Sequence, residues 1–199
     1  PLYITLYYPF YDLTAYGKNV LINSKSRNAW WLSKCFWAVS CVFTYFILMW
    51  VIIIIFCVCG AGKLTLNVSK SLIFKMIPMP SENVFLSEGD LFSNRYLTCQ
   101  MLLMPFLIVS ALSVMQMAVS LVIKPFFSFC ISAGILVLSA YYLNPLLLGN
   151  YAMSQRNDLL IDNGVNTKTG IVFSLALLVL SCVVGLFIFR RYDILNKED

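Results

Sequence analysis

The chain has 199 residues, of which 60% are hydrophobic, 15% aromatic and only 12% charged, and its mean hydropathy of +0.83 exceeds what a soluble domain with one core and a polar skin carries. Fourteen Lys and Arg against nine Asp and Glu leave a net charge of +5, which in so apolar a chain belongs to loops facing anionic lipid rather than to nucleic acid. The sequence contains no histidine, which removes Ser–His hydrolases, zinc proteases and His-ligated haem from consideration.

The opening PLYITLYYPFY, Pro1 to Tyr11, reads as the end of a membrane span with its aromatics at headgroup depth. It begins on a proline in mid-apolar sequence, so the chain reads as the C-terminal part of a longer protein, with any signal peptide upstream. Residues 12–35 form a polar linker between two crossings. In it Val20, Leu21 and Ile22 offer a short apolar face, and SKSRNAWWLSKC, residues 24–35, sets Lys25, Arg27 and Lys34 beside Trp30 and Trp31. Cations and indoles at the foot of a span anchor it at an anionic surface, while an apolar face on a cytoplasmic segment can seat in the groove of a soluble partner.

A run without charge follows from Cys35 to Gly62. Within it residues 36–59 are long enough to cross the roughly 30 Å of hydrocarbon, and Gly60, Ala61 and Gly62 break the helix. Residues 60–100 form an outer loop. There VSKSLIFKMIPMP repeats apolar residues at helical spacing and reads as an interfacial helix ended by Pro78 and Pro80, beside a formal glycosylation sequon at Asn67. The second span covers 101–123 and closes at Lys124 and Pro125. On it Ser110, Ser113, Gln116 and Ser120 recur at spacings of three and four. This polar stripe is read first as helix-to-helix packing through small residues and second as a substrate path.

A short third span covers 127–143 and closes at Asn144 and Pro145. Residues 144–170 are an outer loop whose runs Leu146 to Leu148 and Leu159 to Ile161 are expected as small helices dipping toward lipid, with Asn157 open to reagents from outside. The fourth span, 171–189, ends at Arg190 and Arg191, and 190–199 is a tail. Lys18, Lys25, Arg27, Lys34, Lys124, Arg190, Arg191 and Lys197 hug the helix ends on one side, which places the C-terminus in the cytoplasm. The fold class is thus an all-α polytopic transmembrane bundle.

Catalysis finds no groups to work with. All nine acids lie outside the expected spans, so no carboxylate pair serves a dyad or a proton relay. The seven cysteines lie mostly in or against apolar runs and read as packing or lipid-facing thiols, with no metal site implied.

LINSKSRNAWWLSK resembles the cytoplasmic linker of ABC transporter permeases of the type-2 exporter class, above all short ones of Gram-positive bacteria. Ser26, Arg27, Trp30, Trp31 and Lys34 fall on that family's pattern, while Asn23 and Lys25 replace its usual Arg and Gly. The terminal FRRYDILNKED is similar to the ends of such permeases. The resemblance implies a six-span permease domain in a bacterial cytoplasmic membrane, its first span and part of its second lying upstream of Pro1. It implies pairing with a second permease copy or paralogue and with two cytoplasmic ATPase subunits. The contact to the ATPase would fall on Val20, Leu21, Ile22, Ser26, Arg27, Trp30, Trp31 and Lys34. ATP and Mg would be bound by the partner, since this chain has no phosphate-binding G-x-x-x-x-G-K-[ST] loop and needs no cofactor of its own. The implied activity is export of an amphiphilic cargo such as a peptide antibiotic, a lipid or a drug. The alternative is a bacteriocin-immunity or assembly protein of the membrane that transports nothing.

Overall fold

The computed structural model of the chain describes residues 1–3, 5, 26–61, 94–153, 156–158 and 164–191. Four α-helices dominate: α1 Arg27–Ala61, α2 Asn94–Ser120, α3 Pro125–Tyr141 and α4 Thr167–Arg191, with a 3-10 helix at Leu148–Ala152 before α4. Among the described residues there is no strand, only an isolated bridge between Asn157 and Val165. Three stretches, Arg27–Gly60, Gln100–Ser120 and Thr167–Arg191, are long and apolar enough to cross a membrane, and α3 is a shorter apolar helix. The described residues are those of a helical membrane protein.

Each of the four spans expected between residues 36 and 189 coincides with a helix, and local chemistry displaces the ends; the partial span expected at Pro1 to Tyr11 lies largely outside the described residues. α1 starts well before Phe36 because Ser26 caps it: the Ala29 amide donates to Ser26 Oγ at 3.4 Å, satisfying one of the first turn's unpaired donors. Its 35 residues rise about 52 Å, more than a bilayer core, so its polar first turns extend beyond the hydrocarbon. The β-branched run Val51 to Ile55 is helical because backbone groups in lipid have only intrahelical partners. α2 tolerates Pro105 for the same environmental reason. It stops at Ser120, short of Ile123, as Leu121 N–H turns to Ala118 O at 3.3 Å and Pro125 starts α3, a position where its missing N–H costs nothing. α4 starts at Thr167 because Asn166 Oδ1 accepts the Lys168 amide at 2.9 Å.

The chain divides into two compact units. The first comprises Pro1–Tyr45, Val109–Gly134 and Ser174–Asp199. Its core joins Trp30, Trp31, Cys35 and Ala38 of α1, Val114, Met117 and Ala118 of α2 with Leu121 just after it, and Phe189 of α4. The second comprises Phe46–Ile108 and Ile135–Phe173. There Phe46 of α1 meets Phe106 of α2 edge-on at 6.2 Å. Gly170 of α4 lies so close to Tyr151 and Met104 that an added Cβ would stand 2.5 Å and 2.7 Å from them.

The helices differ in what covers them. Protein buries 56% of the most apolar window of α2, against 17% for α4 and 6% for α1. α2 therefore packs mainly on protein, whereas α1 offers most of its apolar surface to lipid.

Candidate functional site

In the first unit the start of α1 is clasped to the end of α4. Trp31, Cys35, Ala38 and Val42 are buried while Leu32, Ser33 and Phe36 are exposed, so one face of α1 turns inward at helical spacing. The Trp30 ring stacks on Phe189 at 4.8 Å with an 11° tilt, and Trp31 lies 6.0 Å from the same ring. Trp31 Nε1 donates to the Cys182 carbonyl at 3.0 Å. The indole reaches α4 only because position 185 is glycine: a Cβ there would stand 2.1 Å from Trp31 Cζ2.

Charge closes the same junction. The last carbonyls of a helix have no intrahelical partner and carry the negative end of its dipole. Arg27 Nη1 donates to the carbonyl of Arg190 at 3.0 Å, and Arg190 Nε returns a bond to Asn28 Oδ1 at 2.8 Å. The Lys34 ammonium stands 5.0 Å over the Trp30 ring, within cation–π range. Cys182 of α4 packs against the core that holds Cys35 of α1, a further contact between the two helices.

The second unit holds a different knot, built after α3. Arg156 Nη1 donates to the carbonyls of Ser139 at 2.5 Å and Tyr142 at 3.2 Å and also to Asn150 Oδ1. Its Nη2 donates to Ala140 O at 2.6 Å. A guanidinium thus covers the exposed end of α3. Asn150, fully buried, donates through Nδ2 to Tyr142 O and Asn144 O at 3.0 Å and 2.8 Å. Tyr151 OH donates to Pro145 O at 2.8 Å, and burial raises its phenol above the ordinary value. Asn157, also fully buried, donates to Thr167 Oγ1 at 2.7 Å.

The described residues contain no group of three His, Cys, Asp or Glu side chains able to hold a metal ion.

The family described as "Protein of unknown function (DUF2705)" matches residues 11–195, a span that takes in all four helices. The chain belongs to that family. No curated protein and no solved structure matches it.

In this DUF2705 protein the residues singled out from sequence fall into three groups. Ser26 is the cap of α1, and Arg27, Trp30, Trp31 and Lys34 meet at the clasp. Val20, Leu21 and Ile22 lie outside the described residues, as do the interfacial stretch and sequon of the 60–100 loop and the tail after Arg191. Ser110, Ser113, Gln116 and Ser120 are all buried inside the first unit. Gln116 Nε2 donates to Leu2 O at 2.9 Å, and the Gln116 carbonyl accepts Ser128 Oγ of α3 at 2.6 Å.

Two expectations change. Asn157 is buried rather than open to reagents, because its amide is consumed by Thr167. The run Leu146 to Leu148 does not dip as one helix: Leu146 is exposed, and a 3-10 helix begins at Leu148, which is buried. Sequence reasoning missed Cys182, Gly185 and Phe189 as partners of the tryptophans, although their spacing of three and four puts a small, a missing and a large side chain on one face of α4. It also missed Asn28, and it missed Arg156 as the cap of α3.

Proposed function

We propose that this chain is the membrane-spanning permease subunit of an ATP-driven ABC exporter, coupled to a separate cytoplasmic ATPase through the segment that leads into α1. The observation that carries this reading is the clasp. A segment that only anchored a span would need its cations and indoles at the headgroups. Here Arg27, Trp30 and Trp31 are tied to α4 through Phe189, Cys182 and Arg190. A displacement applied just before Arg27 is therefore carried into two helices at once. ATP binding closes the ATPase pair, the closed pair binds one arrangement of the linker better, and the helices shift between inward and outward shapes. The ATP chemistry stays with the partner.

The clasp also bears on topology. Arg27 and Arg190 meet on one side of the membrane, so an even number of crossings separates them. The three long helices alone give an odd number, hence α3 crosses too; its 17 residues rise about 26 Å, near the roughly 30 Å required. With the basic ends in the cytoplasm, residues 144–170 are the outer loop expected from the sequence. The six-span architecture is what the resemblance of the linker to type-2 permeases implies. The cargo is an amphiphile such as a peptide antibiotic, a lipid or a drug, and a second permease completes the pathway.

The uncovered surface of α1 beyond Tyr45, from Ile47 through Val58, favours the alternative of a membrane protein that docks a toxin or an assembly partner without transporting it. The deciding experiment purifies the full-length protein from its native membrane and identifies what accompanies it. A co-purifying ATPase whose association or stimulation is lost in Arg27→Glu, with membrane insertion retained, is expected. Unchanged ATP-driven export in Arg27→Glu would remove the clasp from coupling, and protection against a toxin that persists without any ATPase would establish the alternative. Orientation is read by impermeant thiol labelling of Asp158→Cys, an exposed neighbour of buried Asn157. It is expected to react from outside, while Ser24→Cys stays silent.

A further inference from the structure

Hydroxyls in apolar helices usually satisfy themselves on the carbonyl three or four residues back. Five described side chains do so: Ser33 on Trp30, Thr44 on Ser40, Ser120 on Met117, Ser132 on Ser128 and Ser139 on Ile135. Ser110 and Ser113 of α2 and Ser174 of α4 do not. All three are at least 99% buried, and their Oγ atoms have no protein partner. Gln116 is fully buried too; the bond from its Nε2 to Leu2 O fixes the amide, and its Oε1 is left without a donor. Ser110, Ser113 and Gln116 follow one another at three-residue steps, so they spread along about 9 Å of one side of α2.

Buried polar atoms without partners are rare in native proteins, because each loses its hydration and gains nothing in return. Five such atoms fall within the first unit, Trp30 Nε1 and these four, and the three at three-residue steps on α2, ending at an amide oxygen without a donor, point to an occupant that donates hydrogen bonds. Its charge follows from the surroundings. No Asp or Glu occurs among the described residues of the first unit, and no Lys or Arg stands on α2 or α4 between residues 96 and 167 or between 169 and 189. A buried ion would lack a counter-charge there. We propose that the first unit contains an interior site, lined by Ser110, Ser113, Gln116 and Ser174, for a neutral hydrogen-bond donor: water or the hydroxyl of a bound amphiphile. The side-chain oxygen Oε1 of Gln116 accepts from it, and the serine hydroxyls accept or donate in turn. The proposal does not depend on any ATPase.

The test uses the full chain with its native cysteines replaced by alanine and single cysteines at Ser113 or Gln116, compared with Leu112 and Val114, which are equally buried on the same helix. The probe is 2-hydroxyethyl methanethiosulfonate, neutral and hydroxyl-bearing like the inferred occupant. A wet polar site lets the thiolate form, so positions 113 and 116 are expected to react on the order of tenfold faster than 112 and 114. Equal rates at all four would overturn the site. Should Gln116→Cys fail to accumulate, Ser113→Cys, near in shape to the parent, carries the comparison. Ser113→Ala gives a second readout: a lowered thermal midpoint is expected if an occupant is lost, and a raised one, as when an unsatisfied group leaves a dry core, would sink the idea. Repeating the labelling in octyl glucoside separates the two sources. Slowed reaction at 113 and 116 identifies a sugar hydroxyl in the site, and an unchanged rate identifies water.

Discussion

The two units solve one problem by different routes. In each, the carbonyl end of an apolar helix is closed by an arginine from elsewhere. Arg156 reaches the end of α3 across 14 to 17 residues of chain and brings Asn150 with it. Arg27 reaches the end of α4 across 163 residues, and only because Trp30 and Trp31 have packed on Phe189. The first closure is local and survives as long as its own loop does. The second depends on the tertiary pairing of α1 with α4.

Breaking the long-range closure has the largest expected effect. Trp31→Ala empties a fully buried indole site and removes the bond to Cys182, a loss of about 3–5 kcal/mol, read as a fall in the thermal midpoint of the purified protein. The same variant sharpens the assignment: copper-phenanthroline oxidation is expected to join Cys35 to Cys182 within one chain in the parent and to fail in Trp31→Ala. Equal cross-linking in both would show that the indole does not hold the helices together.

Arg156→Met comes next. It leaves the end of α3 and Asn150 Oδ1 without their charged donor, a loss of roughly 1.5–3 kcal/mol. Because this closure is local, cross-linking of Cys35 to Cys182 is expected to stay intact. Ser26→Ala removes a cap at an exposed helix start and costs about 0.5–1 kcal/mol, seen as fraying of the first turn in amide exchange, with the tryptophan contacts retained.

The smallest effect is on pH dependence. Burial raises the folded phenol of Tyr151 above its unfolded value of about 10. The folded state then holds the proton longer than the unfolded one. The contribution is present in full below that unfolded value and is lost as pH rises through the folded one. Tyr151→Phe is expected to flatten the alkaline fall in stability; an identical alkaline profile would mean that the phenol is not shielded.

The four apolar helices were legible because long runs without charge have few alternatives in a bilayer, whatever their β-propensity. Their ends were less so. Hydropathy windows ignore polar turns, hence the early start of α1 at Arg27, where the Ser26 cap decides, and of α2 at Asn94. The basic, indole-rich stretch stood out by composition, but Phe189 and Gly185 sit among many similar residues on α4, and nothing local marks them as partners. Asn157 looked like any polar loop residue; its burial comes from the bond to Thr167, ten residues on.

Sequence by itself determined that the chain lives in a membrane, where its helices run and which ends carry the cations, because these follow from the transfer of side chains between water and lipid. Only the tertiary structure decided that the two tryptophans pack on α4, that Arg156 closes α3, and that Ser110, Ser113 and Gln116 of α2 lie inside with oxygens unanswered. Those outcomes depend on which helix faces which, a choice that apolar surfaces alone leave nearly degenerate in lipid and that a few close-fitting or hydrogen-bonding groups resolve.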